Sequence, residues 1–250
     1  MTELTSIFAH RGYSGYYPEN TMAAFRAAAQ TGCAGIELDV QLSKDGEVVI
    51  IHDEKVDRTT NGSGFVKDFT LAQLQQLDAR FKFGTDIPFV TIPSLRQYLS
   101  FVRRTRLFTN IEFKTGKISY DGIEKKVIDL VHQYGLQYRV WYSSFHHDTL
   151  RRVKQILPTA NVGLLVESLP AGIEEYAIRF GASSVNVYSA FLNQATVDNL
   201  HAYGLKAQAW TPNTEQEMTR LYQIGTDVLI TNYPERGVQV VRNRQMNHLM

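Results

Sequence analysis

The sequence predicts a (β/α)8 barrel, the TIM-barrel architecture of the α/β class, with a small insertion after its second strand. Three observations carry this expectation. Eight short apolar runs recur along the chain with segments of helical spacing between them. Five of those segments run into a glycine just past their ends, at Gly32, Gly135, Gly181, Gly204 and Gly225, where a helix terminus commonly needs one. Finally, 250 residues suit eight strand–helix units, so one domain over residues 1–250 accounts for the whole chain. A doubly wound open sheet is the rival arrangement, and the count of eight favours the barrel.

In chain order, the strands are expected at Ser6–His10, Gly35–Leu42 with a return at Val48–His52, Leu107–Lys114, Arg139–Ser144, Asn161–Val166, Ser184–Tyr188, Lys206–Thr211 and Asp227–Thr231. Helical spacing marks Thr21–Thr31 through Met22, Phe25 and Ala29, Ser94–Arg104 through Leu95, Tyr98, Leu99 and Val102, and Gly122–Tyr134 through Ile123, Val127, Ile128 and Val131. Further helices are expected at His147–Leu157, Gly172–Phe180, Gln194–Tyr203 and Thr214–Ile224. Residues 55–92 break this rhythm. Turn chemistry at Thr59-Thr60-Asn61-Gly62-Ser63-Gly64 and a short helical stretch near Thr70–Leu77 read as the insertion, with Phe65, Phe69, Phe81 and Phe83 as aromatics to pack over the barrel mouth.

Composition removes several classes of function. With 26 Lys+Arg against 25 Asp+Glu and no basic run, the chain has no electrostatic drive toward nucleic acid or an anionic membrane. No apolar run approaches the roughly 20 residues of a membrane span. The N-terminus lacks the basic flank and apolar core of a signal peptide, which points to the cytoplasm. Cys33 is the one cysteine and lies in an apolar stretch, so it reads as a buried small hydrophobe.

Strand residues two apart share a face, and this makes two of the strands unusual. In Gly35–Leu42, Ile36, Leu38 and Val40 line one side while Glu37 and Asp39 line the other. In Leu107–Lys114, Ile111 and Phe113 oppose Asn110, Glu112 and Lys114. The apolar face of a barrel strand meets the helices, so the polar sets point inward, where unpaired charge is costly. Glu37, Asp39 and Glu112 would repel one another unless a cation neutralised them. An all-oxygen donor set favours Mg²⁺ or Ca²⁺. The plainer alternative is that Arg11 and Lys114 pair with these acids as ordinary core salt bridges. His10 ends the first strand and His52 the return strand, placing two imidazoles at the barrel rim, suited to general acid and base work. Trp210 ends the Lys206–Thr211 strand and also faces that rim. His132, His146, His147, His201 and His248 fall in helical or tail positions and read as structural or solvated.

Taken in order, His10-Arg11-Gly12, Pro18-Glu19-Asn20-Thr21, Glu37-Leu38-Asp39-Val40, Lys44-Asp45-Gly46, His52-Asp53, Asp57-Arg58-Thr59-Thr60-Asn61-Gly62, Asn110-Ile111-Glu112-Phe113-Lys114, Ser143-Ser144-Phe145 and Trp210-Thr211 resemble the glycerophosphodiester phosphodiesterase family. The likeness runs from residue 7 to about residue 236. It implies hydrolysis of glycerophosphodiesters to an alcohol and glycerol 3-phosphate. It also implies metal carboxylates at Glu37, Asp39 and Glu112, catalytic histidines at His10 and His52, and phosphate-holding residues at Arg11 and Lys114. Trp210 joins these as a substrate contact. Pro18–Thr21 reads as the start of a helix capped by Asn20 and stays outside the site. Asn232 and Val228 depart from the family pattern, where Asp and Gly are common, and bear on substrate preference more than on chemistry. The charges agree with this assignment: three carboxylates, a dication and a phosphodiester leave two negative charges for Arg11 and Lys114 to cancel. The rivals are a catalytically idle barrel that binds phosphodiesters, and a lipid phosphodiesterase of the phospholipase C or D kind. Both histidines and all three acids are present, against the first. The Asp57–Gly62 motif after His52, and the want of a basic amphipathic helix, favour a small soluble substrate over the second.

Overall fold

The computed structural model describes residues 5–80, 83–84 and 86–248. Eight parallel strands close on themselves: β1 (Ser6–His10), β2 (Gly35–Leu42), β4 (Phe108–Phe113), β5 (Val140–Ser144), β6 (Asn161–Val166), β7 (Ser184–Tyr188), β8 (Lys206–Trp210) and β9 (Val228–Thr231), with β1 pairing to both β2 and β9. Strand β3 (Val48–Ile50) runs antiparallel to β2 as a hairpin return. The barrel replaces the open-sheet rival because β1 finds a partner on each side.

The alternation read from sequence sorts the two faces. Ile36, Leu38, Val40, Ile111 and Phe113 turn outward into the core shared with α1 (Met22–Ala29), α3 (Leu95–Val102) and α4 (Ile123–Gln133). Inside the barrel, Phe8, Val228 and Ile230 form a smaller cluster with Trp141 and Trp210 against it. Gly35 stands beside Phe8 in the β1–β2 register, and a Cβ there would meet the Phe8 ring at 2.6 Å, so this layer needs glycine. Val228 lies in the same inner layer, away from the rim.

Helices begin on side-chain caps, as at Thr21, Ser94, Asn193 and Thr214. The five glycines foreseen at helix ends all take positive φ, from 69° to 81°. One helix was not foreseen: α9 (Pro234–His248) closes the chain over β1 and β9, on a stretch whose polar content hides its periodicity. Between β3 and α3 the chain makes a 3-10 turn at Val66–Asp68 and the one-turn helix α2 (Leu71–Leu74). Val49, Ile51, Val56, Val66, Leu74 and Ile92 give this segment a core of its own.

Candidate active site

Strand register assembles the acids. His10 pairs across β1–β2 with Glu37, and across β2–β4 Glu37 stands beside Asn110 and Asp39 beside Glu112. Each of Glu37, Asp39 and Glu112 offers one carboxylate oxygen to a group lying within 4.8 Å of one another. Burial, then the charges on Asp39 and Glu112, push the Glu37 carboxyl well above its ordinary range. Burial and Asp39 raise Glu112 likewise. For Asp39 burial acts upward too, but Arg11, His52 and Lys114 outweigh it and hold the group at about 2.

Basic residues do pair with these acids, as the plainer reading required. Lys114 Nζ donates to Glu112 at 2.8 Å, Arg11 Nε lies 3.3 Å from Asp39, and the Arg11 backbone N–H donates to Glu37 at 3.0 Å. The pairing is incomplete. Glu37 Oε1 and Asp39 Oδ1 are buried without a hydrogen-bond partner among the described residues. Two orphaned carboxylate oxygens in a three-acid cluster are the donor set of a hard divalent cation, so the residues present fit such an ion.

Backbone strain marks the same place. Arg11 and Asn20 are non-glycine residues at φ 55° and 58°. The left-handed turn at Arg11 aims its N–H at Glu37, and that at Asn20 lets its side-chain amide donate to Asp39 at 2.8 Å. Asn20 therefore serves the site, and the helix cap is Thr21, correcting the expectation from sequence.

His10 and His52 are each anchored at Nδ1, by Asn232 Oδ1 at 2.7 Å and Asp53 Oδ1 at 2.6 Å. Both then carry the proton on Nδ1 and turn Nε2 to the centre. Burial, helped by Arg11, brings His10 down to about 3, so it is neutral at physiological pH. His52 reaches the acids by an indirect route. The β2–β3 hairpin rises past the barrel rim and returns, so that Ile51 N–H donates to the carbonyl of Asp39 and His52 comes back to carboxylate height. The buried Gln41 amide holds this return at the carbonyls of Ile51, His52 and Asp53. Lys114 Nζ completes the bridge, 3.1 Å from His52 Nε2.

Behind His52 runs a chain of charge. Arg58 donates to both oxygens of Asp53, at 2.5 and 3.1 Å, and to both oxygens of Glu19, at 2.8 Å each. Glu19 in turn accepts from Arg11 Nη1 at 2.8 Å. Burial would raise the Glu19 carboxyl, yet Arg58 and Arg11 hold it at about 2. One arginine from the segment after His52 thus ties the His52 loop to the Arg11 loop.

Two cavities open here. A central one of about 170 Å³ is lined by His10, Glu37, Glu112, Lys114 and the apolar Leu165, Trp210 and Ile230. An outer one of about 430 Å³ shares His52, Glu112, Lys114 and Phe145 with it. Trp210 is half-buried, donates Nε1–H to the Asn186 carbonyl at 3.3 Å and stands edge-on to Phe145. All eight residues singled out in the sequence, His10, His52, Arg11, Lys114, Trp210, Glu37, Asp39 and Glu112, thus come together around one point.

Residues 10–236 match the Glycerophosphoryl diester phosphodiesterase family. The chain belongs to that family. It is 42% identical over 238 residues to the glycerophosphodiester phosphodiesterase of Caldanaerobacter subterraneus subsp. tengcongensis, covering 95% of this chain and 98% of that protein. It is 38% identical to the Bacillus altitudinis enzyme of the same name, with 95% and 98% covered. Among solved structures it resembles an Oleispira antarctica phosphodiesterase in complex with the product sn-glycerol-3-phosphate, at 31% identity and a TM-score of 0.86, over 96% of this chain and 97% of that one.

For this member of the glycerophosphodiesterase family, sequence reasoning missed Glu19, Asn20, Asp53, Arg58 and Asn232 as parts of the site. The quoted motifs contain the first four, but apart from the contact of Asp53 with adjacent His52 their roles depend on contacts 5 to 39 residues apart in sequence. Asn232, set aside as a matter of substrate preference, touches His10 directly. His146, grouped with the structural histidines, lines the outer cavity. Phe65, Phe69 and Phe83 line neither cavity, and Phe81 lies outside the described residues; the aromatic at the mouth is Phe145. No helix among the described residues is long and apolar enough to cross a membrane.

Proposed function

We propose that this chain is a single-domain, cytoplasmic, metal-dependent phosphodiesterase that hydrolyses small glycerophosphodiesters to an alcohol and glycerol 3-phosphate, with no nucleic-acid partner. The observation that carries the reading is the pair of orphaned carboxylate oxygens on Glu37 and Asp39, flanked by two imidazoles anchored at Nδ1, with His10 Nε2 3.9 Å from Glu37 Oε2 and His52 Nε2 3.1 Å from Lys114 Nζ. Glu37, Asp39 and Glu112 would hold the cation, and their all-oxygen character favours Mg²⁺ or Ca²⁺. When bound, it supplies Lewis-acid stabilisation of charge on the phosphoryl oxygens.

The chain's own residues do the rest. Lys114 donates to Glu112 and has further donors for a phosphoryl oxygen, and Arg11 adds its guanidinium. The apolar wall of Leu165, Trp210 and Ile230 packs against the carbon skeleton of the glycerol and excludes water. His10 is neutral with a free Nε2 and acts as the base, taking the proton of the attacking hydroxyl, from water or from the glycerol itself, as the new O–P bond forms. His52, held at Nδ1 by Asp53, acts as the acid. It gives the Nε2 proton to the alcohol oxygen as the old P–O bond breaks. Turnover of glycerophosphocholine with added Mg²⁺ or Ca²⁺, abolished by EDTA and restored by the metal, is the expected result. A chain that binds the diester without turning it over would be the idle barrel instead.

A further inference from the structure

The outer cavity is not needed to hold a metal, a phosphate or a glycerol, yet it opens onto the same catalytic atoms. It shares His52, Glu112, Lys114 and Phe145 with the central cavity, and it is the roomier of the two, about 430 Å³ against about 170 Å³. A phosphodiester has two arms. With the glycerol arm against the apolar central wall, the other arm has the outer cavity in front of it, and His52 stands where the two cavities meet.

The charges lining this cavity are not equally free. Lys114 is committed to Glu112 and His52, and Asp53 to His52 and Arg58. Glu54 is different. Its side chain is 20% exposed and its ion pair is with Lys117, at 3.4 Å, on a lysine 81% exposed to solvent. Such a pair contributes little and is readily exchanged for another cation. Phe145 in the same lining is 43% exposed, with Lys114 Nζ 5.9 Å from its ring centroid. A half-buried carboxylate and a partly exposed aromatic ring are groups that recognise an organic ammonium. Gly116 in the lining has room for a side chain: a Cβ there would meet no heavy atom within 4 Å.

Resting on the phosphodiesterase reading above, we propose that the outer cavity is the subsite for the departing alcohol and that Glu54, with Phe145, selects alcohols carrying an ammonium group. Glu54 replaces its lysine partner with the substrate's own cation, and Phe145 covers the cation's apolar side. Glu54 is a specificity-determining residue and takes no part in proton transfer.

The test compares glycerophosphocholine, glycerophosphoethanolamine, the neutral-alcohol glycerophosphoglycerol and the bulky glycerophosphoinositol on wild type, Glu54→Gln and Gly116→Leu. In Glu54→Gln the ratio of kcat/KM for glycerophosphocholine to that for glycerophosphoglycerol falls about tenfold, the scale of one partly buried charge contact, and the fall is carried by KM. In Gly116→Leu, which reduces volume without altering charge, glycerophosphoinositol loses more kcat/KM than glycerophosphoethanolamine. Ratios unchanged in both variants, with all four diesters still hydrolysed, overturn the outer subsite and leave the phosphodiesterase intact. A changed volume ratio with an unchanged charge ratio overturns the role of Glu54. If the wild type hydrolyses none of the four with Mg²⁺ or Ca²⁺, the phosphodiesterase reading fails and the subsite with it.

Discussion

Replacing Arg58 by alanine tests whether the segment after His52 governs the active site from behind. Arg58 makes four charge-assisted contacts to Asp53 and Glu19, and its loss leaves Glu19 with Arg11 and Asp53 with His52. The Glu19 carboxyl drops from its ordinary 4.5 to about 2, which corresponds to about 3 kcal/mol of linkage. Two arginines share that effect, so Arg58→Ala forfeits about 1–2 kcal/mol at Glu19 and a comparable amount at Asp53, whose carboxyl it also helps hold well below the usual range. The sign follows from the depressed pKa: the stabilisation is complete above pH 4.5 and is lost as pH falls toward 2. Urea unfolding at pH 7 and pH 3 should therefore show a smaller pH-dependent loss in Arg58→Ala than in wild type, on top of a lower stability at pH 7. At pH 7, with metal saturating, kcat should fall roughly 10- to 100-fold as His52 loses its fixed orientation, while KM moves little. Arg58→Lys keeps the charge without the two-pronged fork and should recover only part of this, and added guanidinium should partly rescue Arg58→Ala. Wild-type kcat in Arg58→Ala, or an unaltered difference in stability between pH 7 and pH 3, would refute the reasoning.

Three further outcomes are expected. Glu112→Gln should weaken Mg²⁺ or Ca²⁺ binding by titration calorimetry and lower turnover in parallel, and undiminished metal affinity would remove Glu112 from the cluster. His10→Ala and His52→Ala should each lose roughly 10²–10⁴-fold in kcat with an unaltered far-ultraviolet spectrum, and a variant of near-normal kcat would remove that histidine from proton transfer. Gly35→Ala places a methyl group against the Phe8 ring and should cost about 1–3 kcal/mol in denaturant unfolding; a neutral result would mean that the inner layer relaxes freely.

The sequence by itself determined whatever depends on near neighbours in the chain. Period-two alternation shows that Glu37 and Asp39 share a face, and that Glu112 and Lys114 share another, because successive side chains of any strand point to opposite sides. Helix ends were legible for the same reason, since a glycine past the last turn is a local requirement met at all five places. Eight apolar runs sufficed for the barrel, and family motifs spread over most of the chain sufficed for the family. Tertiary structure alone decided which face meets which. That Asp39 stands beside Glu112, a long way along the chain, is set by the register of β2 against β4. That Asn232 anchors His10 follows from barrel closure, which brings residues 222 apart to 2.7 Å. Glu19 and Asn20 looked like the start of a helix because capping chemistry and site chemistry use the same polar side chains, and only the folded loop brings Glu19 to Arg11 and Arg58 and, through the left-handed turn at Asn20, the Asn20 amide to Asp39. Alternation and capping are properties of the backbone over a few residues, whereas a charge network needs groups from separate loops within about 3 Å, and that separation is fixed by the closed barrel.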